Sequence, residues 1–459
     1  FAWTNNWQSV CLSGMIISAL AIMEYDDMQD TCTGLIEMLL PRVENSVHHY
    51  APDGSYSESP GYWEYSTRTF MLYLAALESA AGTSYGILDT VGLHESYYFV
   101  LNITDNYYYA WNFHDGSRSR VNSATFYMAA ELFDDPALAK ARHTMLTSNL
   151  GIGAEMYDVL YFNPELIEST EFEADLDYYG KNIETVTMRS SWDKYGIFTG
   201  LHAGANNVVH GDIDSGNFYL ATGNYIWFGD RGSEDYNVSN FKHGDYFNDS
   251  YRYLYYNKSI VSHNSLYVVG NPKIPRGQSF TSLETDEYAK IEILHSEANG
   301  AYTIADLTPS FNPRQKTSGT PLSESDKVTS SARRGLLFTN SRSTIVVQDE
   351  VTFKEATDFI WSAECAHLTT DAITEDGKTV YIKGVFNGER TTLLATLLSE
   401  NANLKFKIVT DREEPYLKYS DTTINDGVIV TKTNSENLKA SDPYNRLVIE
   451  AFGVTEFND

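Results

Sequence analysis

Basic residues are scarce: 33 Lys and Arg face 62 Asp and Glu in 459 residues, a net charge of −29. Nucleic acid is gripped by Lys and Arg that neutralise phosphates, so this balance excludes a general nucleic-acid binder. A polyanionic substrate stays open, because a local basic cleft can sit within an acidic surface. Cysteine is rarer still. Cys11, Cys32 and Cys365 cannot build a disulfide framework and lack metal-ligand spacing, which leaves the redox compartment open. No long hydrophobic run exists: Gly14 to Met23 is the longest, well short of the ~20 residues a membrane-spanning helix needs. No basic leader with a small-residue cleavage site opens the chain. A Gly-rich phosphate loop, a nucleophile elbow and paired-cysteine metal motifs are also missing.

What is present is apolar and aromatic. Apolar residues make up 42% of the chain and aromatics 14%, with 33 Tyr and 7 Trp. That is enough to build several cores, and length alone suggests about three domains. Flat rings suit both sugar-binding clefts and packed β-sandwiches. Up to about Leu150 the apolar residues recur at helical spacing, as in Leu12, Met15, Ile16, Leu20 and Met23, or Phe70, Leu72, Leu74 and Leu77 before the Ala81-Gly82 break. Asp135-Pro136 reads as a helix start, with an acidic N-cap and Pro at the first helical position. After an acidic bridge at Glu168–Asp177 the chain turns strand-like. The β-rich runs are Tyr195–Leu201, Asn217–Phe228, Ser259–Val269, Ala289–His295, Gly335–Thr339, Ser343–Val347, Thr357–Trp361, Thr379–Gly384, Leu404–Val409, Val428–Thr433 and Arg446–Ala451. Asn299-Gly300 and Asn387-Gly388 are hairpin signals. Strands that follow one another without helices predict antiparallel sheets. The expected organisation is α+β and multidomain: helices over 1–167, a central antiparallel β region over 168–385 and a C-terminal β region over 386–459. Phe1-Ala2-Trp3 starts without Met or leader, which predicts the later part of a longer protein.

Three clusters could carry chemistry. His210, Asp212 and Asp214 alternate at a strand start, Gly229-Asp230-Arg231-Gly232 follows, and His263-Asn264 lies in a similar context. One imidazole with several carboxylates is costly to bury unless paired or holding a metal. Asp212, Asp230 and His263 are therefore candidate metal ligands with His210 left for catalysis, and a hydrogen-bonded loop network is the equally weighted alternative. The second cluster runs from Pro52-Asp53-Gly54 to Tyr62-Trp63-Glu64-Tyr65. A proton-shuttling Tyr62 would need positive charge or hydrogen bonds nearby, for which Arg68, His48 and His49 are the local candidates. Taken alone, Tyr62, Trp63 and Tyr65 fit core aromatics of the next helix. Third, Asn5-Asn6-Trp7 heads a helix, where amides bind a carboxylate or cap the helix. Arg189 either grips a carboxylate or anchors the junction between regions. His114, His143, His202, His243, His295 and His367 show no partner pattern.

Together these segments resemble the heparinase II/III family of polysaccharide lyases. The carriers are Asn5-Asn6-Trp7 leading to Gly14, Pro52 through Trp63, Met188-Arg189-Ser190-Ser191-Trp192, His210 through Phe218, Gly229 through Gly232, Ser262-His263-Asn264-Ser265-Leu266 and Ala305-Asp306-Leu307-Thr308. The resemblance implies an α/α toroid, incomplete here, followed by antiparallel β-sandwich domains. It implies β-elimination at a uronic acid, with an acidic polysaccharide or oligosaccharide as partner. Tyr62 would be the catalytic acid and, for one substrate configuration, also the base. His210 would be the base for the other, and Asn6 would help neutralise the uronate carboxylate. Asn5, Trp7, Trp63, Tyr65, Arg68 and Arg189 would contact substrate. Many members carry His where Trp7 stands, and the family's better-known metal sites have a second His where Asp212 stands. Asp212, Asp230 and His263 would then hold one structural divalent ion, zinc or alternatively Ca²⁺ or Mn²⁺.

A uronate C5-epimerase shares the first proton abstraction, and a non-catalytic carbohydrate-binding protein could share the fold. Residues 1–100 hold 12 acidic residues and only Arg42 and Arg68 as basic ones, which disfavours a densely sulfated substrate. Enzymes that degrade long polymers are usually exported, so a secreted or periplasmic location leads over a cytoplasmic one. An oligomer is compatible with the sequence.

Overall fold

Helices and then strands follow in the order the periodicity predicts. The computed structural model describes residues 5–172, 174–233, 252–254, 256–314, 321–365, 368–369, 372–386, 389–410, 424–425, 428–429 and 445–458. Phe1-Ala2-Trp3, His243, His367, Asn387-Gly388 and the 430–433 end of one expected strand lie outside them. The helices are α1 (Asn6–Ile22), α2 (Gln29–Ser46), α3 (Pro60–Ala81), α4 (Glu95–Asn102), α5 (Phe126–Leu132), α6 (Pro136–Thr147), α7 (Met156–Leu160) and α8 (Pro164–Glu168). No described helix is long and apolar enough to cross a membrane. The chain divides into two compact units: Phe1–Ala110 with Gly116–Asp175 and Gly180–Asn182, and Trp111–Asp115 with Leu176–Tyr179 and Ile183–Asp459.

In the first unit, α1 buries Leu12, Ile16 and Ala19 beside a polar set of Asn6, Gln8, Ser9 and Ser13, while Met15 points to solvent. The interior face of α1 is thus less apolar than the sequence stripe suggests, and its polar end lies where Asn6 sits. Helix α3 starts on Pro60, whose fixed φ suits the first turn, and stops at left-handed Gly82, whose N–H reaches Glu78 O at 2.9 Å. Asp135 caps α6 by accepting from Ala137 N at 3.0 Å. Ahead of α3 the loop is fixed by two glycines in close approach. Gly54 (φ +80°) and Gly92 (φ +86°) adopt left-handed backbone, and a Cβ on Gly92 would fall 1.9 Å from Tyr50 O.

The second unit is antiparallel. Strands β1 (Asp177–Gly180), β2 (Thr185–Arg189), β3 (Ile197–His202), β4 (Asn217–Thr222) and β5 (Tyr225–Phe228) form one sheet in sequence order. The other contains β6 (Leu266–Val269), β7 (Lys290–Glu297), β8 (Gly300–Asp306), β9 (Thr329–Thr339) and β10 (Thr344–Cys365). Strands β11 (Thr379–Phe386) and β12 (Glu389–Thr396) pair as a hairpin, β13 (Phe406–Thr410) is an edge, β14 (Ile424–Asn425) pairs with β15 (Val428–Ile429), and β16 (Asn445–Asn458) runs beside β10. Val186, Met188, Leu201, Phe218 and Trp227 of the first sheet share one apolar core with Leu266, Phe338, Phe359 and Ile449 of the second. Across the β9–β10 register, Arg334 is bidentate to Asp349 (2.7 and 2.8 Å) and donates to Gly216 O (2.6 Å) and Asn264 O (2.8 Å), which ties two site loops to the sheet.

Four sequence expectations change in detail. Ser343–Val347 and Thr357–Trp361 are parts of the single strand β10, because register shifts near Thr352 and Thr357 let it bend while still pairing. Asn217–Phe228 is a hairpin turning at left-handed Gly223. Only Leu266–Val269 of the Ser259–Val269 run is strand, since Ile260–Ser262 forms a helical turn. Residues 386–459 fall in the same unit as the preceding strands, because β13 and β16 hydrogen-bond into the β10 sheet.

Gly92→Ala should destabilise the protein by about 2–4 kcal/mol, since both the backbone angle and the Tyr50 carbonyl forbid a Cβ. Thermal melting of this variant beside exposed Gly82→Ala, whose Cβ meets nothing within 4 Å, separates the contact from the φ term.

Candidate active site

The helical unit places Asn6 at the first turn of α1, almost fully buried. Its backbone N–H donates to Glu58 Oε1 at 2.8 Å and its side-chain amide donates to Glu58 Oε2. Asn5 occupies the N-cap position, yet its side chain makes no capping hydrogen bond. The amide pair therefore serves a buried carboxylate rather than the helix end. Tyr56 adds its hydroxyl to Glu58 Oε1 at 3.5 Å, and burial, reinforced by Glu58, pushes its phenol well above the ordinary value. Tyr50 is likewise raised, to about 12, by burial against the opposing pull of its Thr67 hydrogen bond. His49 is driven down to about 4, chiefly by burial. A neutral His49 supplies no positive charge to a neighbouring tyrosine.

Tyr62, on the first turn of α3, is half-buried. Trp7 is 70% exposed and Tyr65 53% exposed, so each presents a free ring face to solvent. Trp63 is different: it is wholly buried, edge-on to Tyr97 at 5.3 Å and beside Phe126, and packs the helical core instead of offering a sugar-stacking face. Arg68 is engaged by Glu155 (3.3 and 2.5 Å) and lies 3.7 Å from Glu64, which together raise its already high pKa. In the second unit Arg189 is buried, with its guanidinium 3.7 Å from the centre of Trp192 and 4.9 Å from Phe198. Stacked cations of this kind hold structure together.

The second unit gathers the charged cluster. His210 follows a loop, at a left-handed φ of +63°, and its Nδ1 lies 2.8 Å from Asp115 Oδ2. Burial opposes charge on Asp115, but Lys258, the His210 hydrogen bond and Arg252 outweigh it and hold Asp115 well below the carboxylate range. An ionised carboxylate only accepts, so Nδ1 of His210 carries a proton, and in the neutral ring the lone pair is on Nε2. Lys258 is fully buried. Its Nζ contacts Asp115 Oδ1 and Asp212 Oδ1 at 2.9 Å each, and donates to His114 O and Gly232 O at 3.0 Å each. Arg252 completes the pairing, 3.0 Å from Asp115 and 3.5 Å from Asp212. Burial still lifts Asp212 to about 6.

Asp230 Oδ2 accepts from Asn217 Nδ2 at 2.6 Å and pairs with His263 Nδ1 at 3.0 Å, while Oδ1 accepts from Gly232 N at 2.8 Å. Burial disfavours an imidazolium at His263, but Asp230, Asp214 and Asp212 together raise it to about 9. The expected trio of Asp212, Asp230 and His263 is brought near, with His263 Nε2 3.9 Å from Asp212 Oδ2. The Lys258 ammonium lies against Asp212, and Asp230 accepts from Asn217, His263 and Gly232. The His/Asp groups close enough to hold an ion among the described residues are His114–His202–Asp214 and Asp214–Asp230–His263.

Sequence reading missed Asp115, Lys258, Arg252 and Glu58, which stand far along the chain from the residues they serve. Asp214 was visible in the His210–Asp212–Asp214 alternation, but His114 and His202 carried no spacing signal.

Helices followed by antiparallel sheets are also the order of elements that brings solved heparinase structures into alignment with this chain. The heparan sulfate lyase HepC from Pedobacter heparinus matches with a TM-score of 0.63 and 13% identity, covering 97% of this chain and 58% of that one. One heparinase III structure matches at TM-score 0.64 and 15% identity, covering 98% of this chain and 61% of its own. Another gives TM-score 0.64 and 14% identity, with 97% and 57% covered. At these identities the likeness establishes the fold and a structural relationship to the family, and this chain spans about three fifths of the length of those proteins. No family model matches the sequence, and no curated protein matches it.

Replacing Lys258 with Met leaves Asp115 and Asp212 as uncompensated buried carboxylates, and should cost about 3–5 kcal/mol. Urea unfolding of Lys258→Met, Asp212→Asn and the double variant measures the coupling. The double variant should recover part of the single variant's loss.

Proposed function

We propose that this chain is a polysaccharide lyase that cleaves a uronic-acid-containing chain by β-elimination. The observation that carries the reading is His210: a carboxylate fixes one ring nitrogen and leaves the other with its lone pair, in a fold shared with solved lyases. β-Elimination needs a base for the proton on the carbon bearing the carboxylate, a group that steadies the carboxylate, and an acid for the departing oxygen. As the C–H bond breaks, its electrons form a double bond to the next ring carbon. The glycosidic C–O bond on that carbon opens as the double bond forms, and its oxygen takes a proton.

His210 Nε2 takes the proton in this reading, and the Tyr62 phenol protonates the leaving oxygen. Where proton and leaving group share a face, Tyr62 does both. Asn6 steadies the uronate carboxylate with the amide N–H that Glu58 does not use. Trp7 and Tyr65 offer exposed rings for stacking on sugar faces. If the imidazole–carboxylate cluster of the second unit holds an ion when loaded, it supplies local order around His210 and fixed positive charge. Few cations are available for sulfate. Of Arg42 and Arg68, the only basic residues in the first hundred, Arg68 is paired with Glu155 and Glu64. The reading therefore favours a non-sulfated or sparsely sulfated uronate polymer.

Incubation with alginate, hyaluronan, unsulfated glucuronan, chondroitin and heparan sulfate, followed by ultraviolet absorbance of the unsaturated uronate, tests the activity. A rise with an unsulfated polymer that exceeds the rise with heparan sulfate is expected. Hydrogen exchange at C5 without absorbance would instead identify an epimerase, and binding without either a carbohydrate-binding protein. Tyr62→Phe and His210→Ala should each lower kcat by about 10²–10⁴-fold with melting temperature unchanged. Trp7→Ala should raise KM and leave kcat close to wild type.

A further inference from the structure

The geometry points to a divalent-metal site formed by His114, His202 and Asp214, distinct from the Asp212–Asp230–His263 trio that the sequence suggests. It does not depend on the lyase reading.

His202 is 2% exposed and sits at the end of β3. The Thr185 hydroxyl gives its proton to Ile183 O at 3.0 Å, so at 2.6 Å it accepts from His202 Nδ1–H. That fixes the tautomer, with the lone pair on Nε2, the form in which imidazole ligates a metal. Nε2 lies 3.7 Å from Asp214 Oδ1, and His114 Nε2 lies 4.0 Å from the same oxygen. The two imidazoles meet nearly at right angles, at 82°, and Phe113 stacks on His202 at 5.2 Å as an apolar wall.

Asp214 is 1% exposed, and neither carboxylate oxygen has a hydrogen-bond partner. His202 Nε2 has none either. A buried carboxylate facing an imidazole lone pair at 3.7 Å is too far for a hydrogen bond and repulsive unless a proton or a cation lies between them. The cations nearby make their direct contacts with other groups: Lys258 and Arg252 with Asp115 and Asp212, and His263 with Asp230. Ligand atoms about 2.0–2.1 Å from one tetrahedral ion stand about 3.3–3.4 Å apart, so the two spacings to Asp214 Oδ1 need to close by about 0.3–0.7 Å. Two imidazoles and a carboxylate suit zinc or a similar borderline ion better than Ca²⁺. Solvent would complete the shell. The ion would tie the segment carrying His114 to β3 and to the turn before β4. The residue after His114 is Asp115, which orients His210.

The test uses the full chain stripped with a chelator and titrated with Zn²⁺ alone by calorimetry, then with Co²⁺ as a visible-absorption probe. One equivalent should bind to the wild type and to Asp212→Asn. Affinity should fall at least ~100-fold in His202→Gln and Asp214→Asn that keep native circular dichroism. X-ray absorption on the zinc-loaded wild type, which needs no variant to fold, should count two or more imidazoles. No stoichiometric binding overturns the proposal. So does a single imidazole, which is what Asp212–Asp230–His263 or Asp214–Asp230–His263 would give. Binding lost in Asp212→Asn but kept in His202→Gln overturns it as well.

Discussion

The second unit is organised around one buried ammonium. Lys258 has no exposed surface, and taking a lone ammonium out of water would be prohibitive unless its charge and protons were fully matched. Two carboxylates and two carbonyls do this here, and they come from chain segments far apart: Asp115, Asp212, His114 O and Gly232 O. Each of those segments also carries a functional candidate, namely His114, His210, Asp214 and Asp230. Satisfying Lys258 therefore fixes the loops that present the cluster, and the geometry of the imidazoles follows from an electrostatic necessity.

The consequence reaches His210 through Asp115. Because Lys258 and Arg252 keep Asp115 ionised, it accepts from His210 and sets the ring tautomer. The same two cations do not suffice for Asp212, which burial lifts to about 6. Cation supply, rather than space, limits this cluster. Four carboxylate side chains, those of Asp115, Asp212, Asp214 and Asp230, are buried; Asp230 pairs with His263, and Asp214 is the one whose oxygens have no hydrogen-bond partner.

How much of this the sequence disclosed depends on the range of the interaction. Helix ends at Gly82 and Asp135-Pro136 were legible because capping is local, settled by residues one to four apart. The hairpin at Asn299-Gly300 was legible for the same reason. Strand β10 was read as two pieces, since its bend is set by bulges against β16 and not by its own composition. His210, Asp212 and Asp214 were found because they stand close in sequence, although they lie in the loop before β4 and not at an alternating strand start. Asp115 and Lys258 were not, because their pairing spans more than a hundred residues. His202 looked like an ordinary strand residue, and only the Thr185 hydrogen bond reveals which nitrogen is bare. Trp63 and Arg189 show the converse: an aromatic or cationic residue near a motif can be buried against neighbouring rings.

The position of Asp212 connects these points. Where the family resemblance implies an imidazole on a metal, this chain has a carboxylate and, against it, a lysine. Carboxylate with ammonium balances charge as imidazole with a divalent ion does, but it removes the vacancy an ion would fill. A carboxylate added at Asp212 and matched by Lys258 leaves the demand for positive charge at Asp214 unmet, and Asp214 faces His202 and His114. Displacing the cation site within the loop before β4, from residue 212 to residue 214, reconciles the lysine-paired Asp212 with Asp214, whose oxygens lack hydrogen-bond partners. It also keeps the ion on the segment that, through Asp115, holds His210 in the tautomer a base requires.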